Sequence, residues 1–154
     1  MIRVVVADLA RCPADAVVRP TSSHFDSLVT DSFGPGAAVV TPSRGAAAAE
    51  FVIQACIRDE PDHAPTPELV VRTWRAVLQQ ASEWEFHHVA TPLLGADDGT
   101  GALAAKDVVD LLVEVLQQHR ARSSFPVEVS FVVANADERD VIEAALRRAN
   151  ARTS

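Results

Sequence analysis

Two hydrophobic rhythms alternate along this chain, one of period two or continuous, the other helical, and the switches between them mark out its elements. Residues 2–7 are almost wholly apolar and stop at Asp8, the pattern of a strand covered on both faces. After the turn Cys12-Pro13-Ala14-Asp15, a second short strand starts at Ala16-Val17-Val18 and is expected to stop at Pro20. Residues 21–36 are polar and irregular, with only 24–29 expected to coil briefly. A third strand is predicted over 37–41, followed by the turn Pro42-Ser43-Arg44-Gly45. A fourth covers 51–57 with β-branched residues at its centre, and 58–65 reads as an acidic, proline-bearing loop.

Thr66-Pro67-Glu68 then supplies a helix start. The hydroxyl caps, the proline presets φ at the first helical position, and the carboxylate meets the positive end of the helix dipole. The helix is predicted to run to residue 82 with Val70, Trp74, Val77, Leu78 and Ala81 on one face. A fifth strand follows over 87–94, and a loop rich in glycine and aspartate over 95–101. The next helix, 103–118, carries a buried stripe of Val108, Leu111, Leu112, Val115 and Leu116. A last strand is predicted over 127–134 and a last helix over 137–149, with Val141, Ile142, Ala145 and Leu146 inward. Strands alternating with helices in this order predict a three-layer α/β/α sandwich around a mixed, mostly parallel sheet. With no internal repeat and no linker, residues 1–154 are expected to form a single domain.

Composition narrows the function classes. The chain has 154 residues, 48% of them hydrophobic, enough to bury a core without disulfides or metal. A formal net charge of −7 repels a phosphate backbone, so general nucleic-acid binding is not expected. No apolar run approaches the roughly 20 residues that span a bilayer, and the opening apolar segment is too short for a signal peptide. A soluble, cytoplasmic protein without membrane partners is the expectation. Cys12 and Cys56 lack metal-ligand spacing and read as reduced, buried thiols.

Other constellations have plain structural readings. His87 and His88 are adjacent in a strand and point to opposite faces, which prevents them sharing a metal. Asp59, Glu60, Asp62 and His63 offer oxygen ligands, but with Pro61 and Pro65 interleaved they read as a solvated loop. Ser22, Ser23 and His24 lack the glycine-flanked elbow of a nucleophile. Trp74 and Trp84 read as packing anchors of one helix. No catalytic residue, metal or cofactor is expected.

Several strings resemble the macrodomain family, whose members bind ADP-ribose and related nucleotides. Val4-Val5-Val6-Ala7-Asp8 followed by Ala14-Asp15-Ala16-Val17-Val18 is similar to the family's first strand, acidic residue and second strand. Gly36-Ala37-Ala38-Val39-Val40-Thr41 with Ala49-Glu50-Phe51-Val52-Ile53 is similar to the next pair of strands. Val89-Ala90-Thr91-Pro92-Leu93-Leu94-Gly95 resembles the strand leading into the diphosphate loop, and Phe131-Val132-Val133 the last strand.

The resemblance implies a ligand lying across the carboxyl ends of the central strands. Asp8 then matches the carboxylate that accepts from the adenine amino group; read from the residues alone, it is equally a strand-end carboxylate capping a turn. Gly95, Ala96, Gly99, Thr100 and Gly101 match the loop whose backbone amides cradle a diphosphate, although Asp97 and Asp98 would repel one if they faced it. Arg19 and Thr21 stand just past the second strand, where the family keeps a ligand-facing asparagine, and Arg19 suits a phosphate or carboxylate. Asn135 stands where an aromatic usually covers the base. The family's asparagine string reads Arg19-Pro20-Thr21-Ser22 here, and its glycine-rich loop and the helix after it are missing. Those parts position the water in hydrolytic members. The expected function is therefore a binding module for ADP-ribose or a related nucleotide or phosphorylated metabolite, without turnover. The alternatives are a ligand-free scaffold that assembles, as a homo-oligomer, or an ADP-ribosyl hydrolase.

Overall fold

The computed structural model describes residues 2–22, 34–58, 65–96 and 103–153. Among them the strands are β1 (Ile2–Val6), β2 (Ala16–Ser22), β3 (Ala38–Pro42), β4 (Phe51–Arg58), β5 (His88–Thr91) and β6 (Glu128–Val133). The α-helices are α1 (Pro67–Glu83), α2 (Ala105–Arg120) and α3 (Ala136–Thr153), and one turn of 3-10 helix, Leu9–Arg11, follows β1. The sheet order is β1-β6-β5-β2-β4-β3. Every pairing is parallel except that of β3 with β4, so the sheet is mixed and mostly parallel, as predicted.

Local chemistry explains the helix starts. The Leu69 N–H donates to Thr66 Oγ1 at 3.2 Å, with Pro67 opening α1 as its sequence implies. At α3 the Glu138 N–H donates to Asn135 Oδ1 at 2.9 Å, while Glu138 Oε2 accepts from the Ala134 N–H at 3.0 Å. This reciprocal pair occupies one donor that the first turn of a helix leaves open and one just before the cap.

Strand alternation builds the core. Ile2 and Val4, Phe131 and Val133, Val89, Ala16 and Val18, and Ile53, Ala55 and Ile57 pack in one cluster with the buried stripes of α1, α2 and α3. These positions fall two apart along each strand, so they line one face of the sheet, and the three helices lie together on it. At its centre the fully buried Trp74 meets Phe131 edge-on, with ring centroids 6.1 Å apart. On the opposite face a smaller cluster joins Cys12, Val17, Ala49 and Ala90. There the Ala48 N–H donates to Ala10 O at 2.7 Å, tying the turn after β3 to the 3-10 turn after β1. Asp15 fastens the sheet at its other end, its Oδ2 accepting from the His87 and His88 N–H groups at 2.7 and 2.9 Å. His88 Nε2 lies 2.7 Å from Ser130 Oγ, a bond between neighbouring strands rather than a ligand position.

Three expectations need correction. Pro20 does not stop β2, which continues to Ser22. β2 pairs with β5 only at Ala16 and Val17, so at Pro20 it has β4 on one side and an open edge on the other, where a missing N–H is tolerated. β5 ends at Thr91 rather than 94: its last pair with β2 is at Ala90 and with β6 at Thr91, and Pro92 has no N–H to carry the ladder on. Val141, read as inward, is 54% exposed. Trp74 is a core anchor, whereas Trp84 caps the end of α1 at the rim, 49% exposed and stacked on Phe86 at 5.9 Å.

Cys12 and Cys56 are buried, and no disulfide joins them. Burial first, and the nearby Asp8 charge second, push the Cys12 thiol above its ordinary value. Alkylation of Cys12 in the folded protein at pH 8 is therefore expected to run slower than in the unfolded chain by roughly tenfold or more. Asp8→Asn should speed it, as read by mass mapping of labelled peptides. No α-helix among the described residues is long and apolar enough to cross a membrane.

Candidate binding cleft

The strand order reverses between β2 and β5: β2 leads out toward β3 and β4, and β5 toward β6 and β1. In open α/β sheets the loops part at such a reversal, leaving a crevice at the carboxyl ends of the strands. Two connections shape that end here. After β5 the chain turns at Gly95, where φ is +89° and a Cβ would lie 2.5 Å from Val70 Cγ2 on α1. Only glycine fits both the backbone conformation and the contact. The Leu103 N–H donates to Gly95 O at 3.2 Å, and Ala96 and Leu103 form an isolated bridge, so the 95–103 loop is pinched shut at its base. After β6 the chain passes through Ala134 and Asn135 into α3.

Between these connections lies a cleft of about 520 Å³. Pro92, Leu93 and Ala96 form one wall, with Ala105 of α2 beside them; the end of β6 and Val141 and Ile142 of α3 form the other. Its lining is aliphatic apart from the carboxylates of Asp137 and Glu138 and the backbone of the two connections. A concave apolar pocket with a few convergent polar groups is the usual form of a small-molecule site.

The residues singled out from sequence fall into several places. Ala96 lines the cleft, and Gly95 sets the turn that brings it there. Asp8 is exposed at the end of β1, where the Ala7 N–H donates to Val133 O at 3.1 Å. Its Oδ1 accepts from the Ala10 N–H at 3.1 Å, and Arg11 Nε lies 3.8 Å from Oδ2. The capping role is thus occupied, beside the cleft rather than in its lining. Arg19 and Thr21 lie within the lengthened β2, in register with Gln54 and Cys56, and neither lines the cleft. Asn135 is exposed and caps α3. Gly99, Thr100 and Gly101, with Asp97 and Asp98, lie outside the described residues.

Leu93, Glu138 and Val141 were not singled out. The available signal was on α3: four apolar positions counted as inward exceed what one narrow stripe needs, and the surplus residue, Val141, turns to the cleft.

No curated protein matches the chain. Solved structures do, in fold. The macrodomain of Thermus aquaticus DarG aligns with a TM-score of 0.70 at 17% identity, over 86% of this chain and 98% of that one. A point variant of the Oceanobacillus iheyensis macrodomain aligns with a TM-score of 0.76 at 12% identity, over 97% and 92%. Another variant of that protein, solved with ADPR, aligns with a TM-score of 0.71 at 13% identity, over 94% and 91%. The sequence model of the macro domain family matches residues 22–112, a stretch that takes in β3, β4, α1, β5 and the glycine-bearing connection along one wall of the cleft. With more than half of its length matched by the family model, the chain belongs to the macro domain family.

Proposed function

We propose that this chain is a binding module for ADP-ribose or a related small nucleotide, and that it does not turn its ligand over. The observation that carries the reading is the 520 Å³ cleft at the carboxyl ends of β5 and β6, between the glycine-bearing connection and α3. An oxygen-rich diphosphate suits the backbone side of the cleft, where the chain turns at Gly95. A nucleoside suits the aliphatic side. The solved relative holding ADPR supports that choice of ligand. Residues 1–154 acting as one domain, and ligand contacts from Asp8 and from Gly95, Gly99, Thr100 and Gly101, belong to the same proposal. Absence of turnover rests on Arg19-Pro20-Thr21-Ser22 standing where hydrolytic relatives keep their asparagine string. ADP-ribose release from a modified protein should stay at the no-enzyme level.

Calorimetric titration with ADP-ribose is the test, paired with Val141→Glu. Val141 is half exposed, so its replacement is expected to leave the melting temperature within about 2 °C of the parent's. The longer, charged side chain fills the cleft and should weaken binding by roughly tenfold or more. Equal affinity in the two proteins removes the cleft as the site. Silence toward ADP-ribose, ADP and AMP favours a second reading, an assembly domain. For that reading the exposed Trp84, packed with Phe51 and Phe86 at 5.1 and 5.9 Å, is the supporting observation.

A further inference from the structure

We infer that the α3 side of the cleft admits only an uncharged, hydrogen-bond-donating part of the ligand and rejects phosphate. The chain would then separate ADP-ribose from the same nucleotide carrying an additional phosphate on its nucleoside ribose. The inference rests on the nucleotide reading above and adds the specificity of that site.

The cleft itself carries the argument. Its walls are aliphatic, and among the described residues the charged groups in its lining are Asp137 and Glu138, both acidic. Cations nearby are engaged elsewhere: Arg11 lies 3.8 Å from Asp8, and Arg139 3.5 Å from Asp140. Lys106 opens on a separate groove with Asp107, Asp110 and Arg148. The α3 N-terminus contributes about half a positive charge, which two full carboxylate charges outweigh. One first-turn amide is also occupied, since Asn135 takes the Glu138 N–H, and the Ala134 N–H just before the helix is taken by Glu138. A phosphate at this end would meet acceptors and negative charge; both carboxylates are exposed, so the repulsion acts at close range and weakens with added salt. A ribose hydroxyl or an exocyclic amine meets the same carboxylates as a donor. Glu138 is the better placed of the two, because its bond to Ala134 fixes one oxygen and with it the orientation of the carboxylate.

Titrations of ADP-ribose and ADP-ribose 2′-phosphate into the parent protein and into Asp137→Asn/Glu138→Gln test this. The isosteric variant keeps an acceptor for the Ala134 N–H, so α3 retains its start. The parent is expected to prefer ADP-ribose by roughly tenfold or more, and the variant to bring the two ligands within about threefold. Equal affinities in the parent, or a preference that persists in the variant, overturn the inference while leaving the nucleotide reading intact. Binding of neither ligand to the parent overturns both, and is told apart by the missing heat with ADP-ribose itself.

Discussion

Replacing Trp74 by alanine is expected to lower the stability of the fold by about 3–5 kcal/mol, the range for emptying a large aromatic site in a packed core. The residue is 1% exposed and sits where α1 crosses the sheet, edge-on to Phe131. Neighbours fixed in a sheet and two helices relax little, so the cavity persists and its lining loses its contacts. Chemical denaturation of the parent and variant measures the difference. Trp74→Phe separates two causes. The indole Nε1 has no hydrogen-bond partner among the described residues, so losing that donor removes a burial penalty that offsets part of the lost volume. Phenylalanine is expected to cost clearly less than alanine. A Trp74→Ala loss below about 1 kcal/mol would show that the site collapses and that this contact does not hold α1 to the sheet.

Gly95→Ala is the second large effect, expected at about 2–4 kcal/mol. Two penalties add. The backbone has φ +89°, which an L side chain resists, and the new methyl lands 2.5 Å from Val70 Cγ2 and 3.2 Å from Val70 Cγ1. Val70 cannot withdraw, because it is completely buried under the same connection. A double-mutant cycle with Val70→Ala distinguishes the penalties: the steric part should be recovered in the double variant and the backbone part should remain. Because the turn places Ala96 against the cleft, the single variant should also weaken ligand binding. Unchanged affinity in a folded Gly95→Ala protein would separate the turn from the site.

The elements were legible where their signals are local. Thr66 and Pro67 mark the start of α1 because a cap and a preset φ act within one turn, and both are found in those roles. The stripe Val70, Trp74, Val77, Leu78 and Ala81 is buried as its spacing requires. The same reasoning failed where the answer depended on a neighbour. Pro20 and Pro92 carry the same local signal, yet one is absorbed into β2 and the other ends β5. The difference is whether a partner strand continues: β4 stays paired with β2 past Pro20, whereas β5 has no pair after Thr91, and no local pattern states that. Asp8 shows the reverse limit: both of its readings were available from sequence, and its bond to Ala10 accounts for the capping one without touching the other.

The sequence by itself determined the alternation of strands and helices, the stripes that form the core, and the family strings between Gly36 and Gly95, which lie in the stretch that the family model matches. It did so because periodicity, capping and turn chemistry act over a few residues. The tertiary structure alone decided the order β1-β6-β5-β2-β4-β3 and the position of the three helices on one face. It also decided the meeting of Leu93, Val141 and Glu138 around one cleft. Leu93 is separated from the two α3 residues by the crossover through α2 and by β6. A cleft at the ends of neighbouring strands belongs to the packing of the sheet and its helices, where side chains far apart in the chain meet.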